Sequence, residues 1–214
     1  FKTIFFFYGM GNSSDDFDFL IKKLDKKYQF LIPELPGHNN DKFNSKFSLI
    51  NYANTIVLLI LRKNLCNLFF FSHSVGGIIP ILIAKKIKQK KKIKNFFNYE
   101  GNLTEYDTGT ITKKTTSYNM NEFDNKFNKL VGLCEQSSQS AIRLWSNSLK
   151  KTSSKAFYDL SKDTVLLSKK TILFQFFRIF FRRKLYMFGS NSFLNFSEFI
   201  FGSERLILNN TGHF

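Results

Sequence analysis

The sequence predicts an α/β protein: a mostly parallel central sheet with helices on both faces and a helical insertion. Three observations predict it. Strand-like and helix-like segments alternate along most of the chain, the pattern of a parallel sheet covered on both sides. The runs at 2–8 and 65–71 are dominated by apolar residues, unbroken over 4–8 and 68–71, as strands buried on both faces should be. A strand, a sharp turn and a helix follow one another around Ser72-His73-Ser74-Val75-Gly76-Gly77, with a serine at the apex. A chain of 214 residues, 43% apolar, can also bury one substantial core.

The first strand, 2–8, runs into Gly9-Met10-Gly11-Asn12, where glycines let the backbone turn tightly and expose N–H groups. Ser13 or Ser14 caps a helix over 14–27, and Asp15 and Asp16 suit its positive end. A second strand over 28–34 leads to Leu35-Pro36-Gly37-His38, and a helix is predicted over 47–63. The strand at 66–72 enters the serine turn, and the helix at 75–91 leaves it. Small residues are required there because strand and helix nearly touch. Strands at 93–100, 184–189 and 204–208 complete the alternation, with a helix at 192–201 between the last two. The final strand delivers His213 from the loop Asn209-Asn210-Thr211-Gly212-His213.

Residues 108–180 break the alternation with amphipathic pieces at 121–133, 140–149 and 156–181. The division is therefore a core of 1–107 and 181–214 around an insertion of 108–180.

These parts, in this order, resemble the α/β-hydrolase family along nearly the whole chain. Tyr8-Gly9-Met10 resembles the family's His-Gly oxyanion turn, with Tyr for His. Leu35-Pro36-Gly37-His38 resembles its Pro-Gly-His loop. Residues 72–76 resemble the nucleophile elbow, with Ser72 for the usual first glycine, and Gly212-His213 the terminal Gly-His. The resemblance implies a serine hydrolase acting on an ester, thioester or amide of a small acyl substrate. Ser74 is then the nucleophile, His213 its base, and the N–H groups of Met10 and Val75 the oxyanion donors. It also implies that 108–180, placed after the family's sixth strand, forms a lid, with Trp145, Phe157 and Phe174 as candidates to line the acyl pocket beneath it, although packing within the lid is the commoner use of such side chains.

The acid is less direct. Many members carry it after the penultimate strand, but Gly189-Ser190-Asn191-Ser192 offers no carboxylate. Some members, certain haloalkane dehalogenases among them, place it one strand earlier. Here that strand ends at Glu100, so Glu100 is the first candidate, with Asp107 and Asp163 in reserve. The elbow holds no carboxylate nucleophile, which argues against dehalogenation itself. A catalytically inactive binding or scaffold protein on the same fold is the alternative: Tyr8, Ser72 and the bare 189–192 exit are all departures from the pattern.

The net charge is +16. Its densest run, from Lys85 to Lys94, ends the helix after the elbow, where cations complement the helix dipole. No motif for nucleic acid accompanies it, and a Phe-, Asn-, Ile- and Lys-rich composition follows from A/T-rich codons. No nucleic-acid partner or cofactor is expected. Three histidines give no metal-ligand spacing, and His38 and His73 are assigned to loop structure or pocket shape. Cys66, at a strand start, and Cys134, in the insertion, give no disulfide framework, so a reducing, cytoplasmic setting is the default. No run is long enough to cross a membrane. The apolar stretch at 171–181, with Arg182, Arg183 and Lys184 behind it, reads as a buried helix leading into a strand, or as an interfacial contact. The oligomeric state is not legible. The chain starts at Phe1 inside a strand and stops at Phe214 just after the histidine. It therefore reads as trimmed at both ends, with an open apolar edge beside the strand carrying residues 5–7 or exposed phenylalanines near both ends.

Overall fold

The computed structural model describes residues 2–43, 47–87, 92–169, 172–195 and 204–213. Six strands form one sheet: β1 (Lys2–Phe7), β2 (Tyr28–Leu31), β3 (Leu68–His73), β4 (Ile93–Tyr99), β5 (Arg183–Gly189) and β6 (Glu204–Leu208). Their order is β2-β1-β3-β4-β5-β6, and every adjacent pair is parallel. All six strand carboxyl ends therefore lie on one edge, where functional groups of open α/β sheets collect.

Phenylalanine alternation builds the two layers. In register, Phe5 stands beside Phe70 and Phe6 beside Phe71. Phe5, Phe7, Phe70 and Phe96 point to one face, where Phe177 and Phe181 pack on them. Phe6 and Phe71 point to the other, against Phe17. The first face is covered by α2 (Leu49–Arg62), α3 (Ile78–Lys86) and α8 (Ile172–Phe180). Helix α2 is capped by the Ser48 hydroxyl and buries Tyr52, Ala53, Ile56, Val57 and Ile60 at helical spacing. Helix α3 buries every residue from Ile78 through Ala84, so it is the central element of this layer. The short α1 (Asp18–Lys23) follows a 3₁₀ turn at Ser14–Phe17.

Between β4 and β5 stand α4 (Gly109–Thr116), α5 (Met120–Glu135), α6 (Ser140–Leu149) and α7 (Ser154–Ser168), followed by α8. The predicted piece at 156–181 is thus two helices. They have different partners: α7 packs on α4 and α5, whereas α8 packs on α3 and the sheet. The helix expected at 192–201 begins as a 3₁₀ turn, Ser190–Asn195, and its remainder falls outside the described residues.

Three expectations change. Strand β1 is not beside an open apolar gap: it pairs with β2 on one side and β3 on the other, and Phe5, Phe6 and Phe7 are buried. Among the described residues the sheet edges are β2 and β6, and Phe1 and Phe214 fall outside them. Cys66 is exposed, because β3 starts two residues later. Phe174 packs on Arg178 along α8 rather than in the site cavity.

The turn into α3 tolerates no side chain at Gly76, where a Cβ would stand 2.3 Å from the Phe7 carbonyl oxygen. Gly132, inside α5, faces open space. Urea denaturation should show the contrast. Gly76→Ala should cost about 3 kcal/mol, and Gly132→Ala should gain about 0.5–1 kcal/mol.

Candidate active site

Ser74 stands at the end of β3 with φ +54°, in the left-handed region that few non-glycine residues enter. Its surroundings explain how the conformation is held. The Asn102 N–H donates to the Ser74 carbonyl at 3.0 Å. A Cβ on Gly9 would meet Ser74 Cβ at 2.9 Å, so only glycine lets the β1 loop pass this close. Ser72 is accommodated in place of the usual glycine because its hydroxyl donates to buried Asn98 Oδ1 at 2.7 Å. Asn98 in turn fills the space left by the missing side chains of Gly77 and Gly101.

Glu100 follows β4 directly, also with positive φ (+45°). The Tyr99↔Met187 register brings it alongside the end of β5, where the Gly189 N–H donates to Oε1 at 2.8 Å. The other oxygen, Oε2, lies 2.7 Å from His213 Nδ1. Burial alone would raise the Glu100 carboxyl. Hydrogen bonds from the His213 ring, the Gly189 N–H and the Ser192 side chain outweigh it and hold the group below its usual range. Ser192 thus solvates the glutamate at the strand exit that carries no acid.

His213 reaches this position on a loop that crosses the end of β5. The crossing is close: a Cβ on Gly189 would stand 2.2 Å from the Thr211 carbonyl oxygen. The Asn191 N–H donates to that oxygen at 3.0 Å. The Tyr99 hydroxyl donates to the Gly212 carbonyl. His73 Nε2 lies 2.8 Å from the His213 carbonyl oxygen, which can only accept, so this nitrogen carries the proton. On the ring itself, Nδ1–H donates to Glu100 and Nε2 faces Ser74 Oγ at 3.1 Å. Serine, imidazole and carboxylate therefore form one continuous chain of hydrogen bonds.

The chain opens into a cavity of about 340 Å³, lined in part by Met10, Asn12, Tyr106, Ile111, Trp145 and Phe157. Trp145 and Phe157 are thus wall residues. The Trp145 indole N–H donates to the Met10 carbonyl at 3.0 Å, tying α6 to the β1 loop. Met10 lines the cavity and Val75 is buried directly after Ser74.

The two reserve carboxylates are committed elsewhere. Asp107 accepts from the Leu103 and Thr104 N–H groups at 2.7 Å each, and burial pushes it up to about 6. Asp163 accepts from the Leu49 N–H at 2.6 Å, at the start of α2. Tyr8, which replaces histidine in the first loop, faces away from the serine. Its hydroxyl donates to Glu34 and accepts from the Leu35 N–H, so it anchors the loop after β2. Tyr99 and His73 were not predictable as holders of the His213 loop, because the partner atoms are backbone carbonyls remote in sequence. The described residues hold no cluster of side chains suited to a metal ion. No helix among them is long and apolar enough to cross a membrane.

No family model matches the chain. Over 90 residues, 41% of its length, it is 29% identical to a Mycoplasma pneumoniae protein named "Putative esterase/lipase 2". The match spans only about a third, 34%, of that relative. Similarity of structure is far more extensive. A carboxylesterase structure from the thaumarchaeon Nitrososphaera gargenis aligns with a TM-score of 0.78 at 16% identity, covering 99% of this chain and 83% of the other. A hydrolase from Oleispira antarctica, olei00960, aligns with a TM-score of 0.77 at 18% identity, covering 100% and 84%. The chain has the α/β-hydrolase fold.

Two histidines give the fold a definite acid response. Burial pushes His38 from an ordinary 6.5 down to about 4. Burial and the neighbouring His213 ring push His73 down to about 3. Both folded values lie below the unfolded one, so the unfolded chain binds more protons as pH falls below 6.5. Stability should drop there by up to about 1.4 kcal/mol per pH unit for a fully shielded ring. The Glu100 contribution is present above its ordinary 4.5 and is lost as pH falls through its lowered folded value. Denaturation from neutral pH down to about pH 4 should show this slope, and His38→Gln should flatten it.

Proposed function

We propose that the protein is a serine hydrolase of carboxylesterase type, cleaving an ester, thioester or amide of a small acyl substrate through Ser74, His213 and Glu100. The observation that carries this reading is the linked pair of contacts on one imidazole, 3.1 Å to Ser74 Oγ and 2.7 Å to Glu100 Oε2. Serine at its ordinary pKa is a poor nucleophile, and this geometry supplies the base it needs. The likeness to carboxylesterase structures over nearly the whole chain supports the same chemistry.

Ser74 Oγ attacks the carbonyl carbon of the substrate while its proton passes to His213 Nε2. The carbonyl oxygen takes the negative charge and is stabilised by the N–H groups of Met10 and Val75. Glu100 holds the ring in the Nδ1–H tautomer and stabilises the imidazolium. Collapse of the intermediate breaks the bond to the leaving group, which departs with the His213 proton. Water then attacks the acyl-enzyme, gives a proton to His213, and releases the acid and the free serine.

Helices α4 to α7 act as the lid in this reading, with Trp145 and Phe157 forming the acyl wall. Helix α8 belongs with the sheet layer. A cavity of about 340 Å³ suits a short acyl group.

A fluorophosphonate probe should label the protein, and peptide mapping should place the adduct on Ser74. Ser74→Ala should abolish labelling and cost about 10⁶-fold in turnover of p-nitrophenyl esters. Glu100→Gln should keep the fold and cost about 10⁴-fold. Undiminished turnover in the alanine variant would refute the proposal, and absence of labelling in the parent would favour an inactive protein on this fold.

A further inference from the structure

The positive charge is not spread evenly over the fold. All strands are parallel, and α1, α2, α3 and α8 each lead back to the start of a strand. Their carboxyl ends and the strand starts therefore share the sheet edge opposite Ser74. That edge collects exposed cations. Helix ends supply Lys22, Lys23, Arg62, Lys85, Lys86 and Arg178. Strand starts supply Lys2, Lys27, Lys94, Arg182 and Arg183. Contacts join them across elements. Lys2 and Lys27 both lie over the Tyr28 ring, Lys92 donates to Asn64 beyond the end of α2, and Lys85 lies over Phe176 of α8. Against them, among the described residues, the same edge offers Asp25, already paired with Lys27, and Glu204.

Helix dipoles account for cations at helix ends. They do not account for those at strand starts, nor for the aliphatic side chains among them. Leu61 is 56% exposed at the end of α2, and Ile179 is 72% exposed at the end of α8, between Arg178 and Arg182. One turn back on α2, Leu58 is also exposed. Aliphatic groups add nothing to a phosphate track or a stacked base. They do partition into the acyl boundary of a bilayer whose headgroups attract the surrounding cations.

We propose that this edge, at the base of α2, α3 and α8, docks the protein on an anionic phospholipid bilayer. A strand of six or seven residues spans about 20 Å, so the cavity at the opposite edge faces the water. Docking then localises the protein without feeding it lipid from the bilayer.

Sedimentation with vesicles tests this. The protein should bind vesicles of mixed phosphatidylglycerol and phosphatidylcholine, bind pure phosphatidylcholine far less, and release at high salt. Lys85→Gln, Lys86→Gln, Arg178→Gln and Arg183→Gln together should weaken binding by two orders of magnitude or more, at about fivefold per charge. Ile179→Ser should weaken vesicle binding severalfold and leave retention of duplex RNA unchanged. Thermal unfolding serves as the fold check for both variants. Equal binding to both vesicle types, an unaffected quadruple variant, or tighter binding to duplex RNA than to anionic vesicles would overturn the proposal. None of these outcomes depends on whether Ser74 is reactive.

Discussion

One imidazole ring, held on both sides, organises this molecule. His213 sits between a buried carboxylate and a strained serine, and each neighbour comes from a different strand end. The ring itself arrives on a loop that must cross a third strand. That crossing requires Gly189, because any side chain there would collide with the Thr211 carbonyl. At the strand exit, which bears no acid, Glu100 reaches across from the neighbouring strand and accepts from both the His213 ring N–H and the Gly189 N–H. Tyr99 and His73 then fix the two carbonyls next to and on His213. The positions of three side chains are thus decided mainly by backbone groups.

The serine side of the site rests on a second constraint, close approach. Gly9, Gly76, Gly77 and Gly101 all stand where a Cβ would meet another atom at 3 Å or less. The β1 loop, the elbow and the β4 exit interlock through those positions, with Asn98 filling the gap beneath them. Positive φ at both Ser74 and Glu100 costs about 1–3 kcal/mol each. The interlock holds that strain in place, and it aims both side chains at the same ring.

Much of this is legible before any coordinates. The central strand runs stand out because parallel, doubly buried strands read as apolar segments, phenylalanine-rich in β1 and β3, whereas the edge strands β2 and β6 are recognised by their place in the alternation. Ser74 is marked by small neighbours at a strand-to-helix turn, and Glu100 by its place at a strand end opposite an exit that lacks a carboxylate. Less of the remainder can be read, for identifiable reasons. The break between α7 and α8 is hidden because hydrophobic periodicity continues through it while the packing partner changes from the inserted helices to α3. Phe174 looks like any pocket aromatic until the direction of its helix face is known. Cys66 misleads because the strand begins two residues after it. The holding roles of Tyr99 and His73 depend on backbone carbonyls more than a hundred residues away, which no local pattern reports.

The decisive measurement is the state of the His213 ring between Glu100 and Ser74. With only three histidines in the chain, ¹⁵N-histidine labelling resolves every ring N–H, and His38→Gln and His73→Gln assign the other two. The Glu100–His213 contact should give a strongly downfield Nδ1–H resonance from His213 that persists in Asp107→Asn and disappears in Glu100→Gln. A resonance unchanged by Glu100→Gln, or lost in Asp107→Asn, would contradict it.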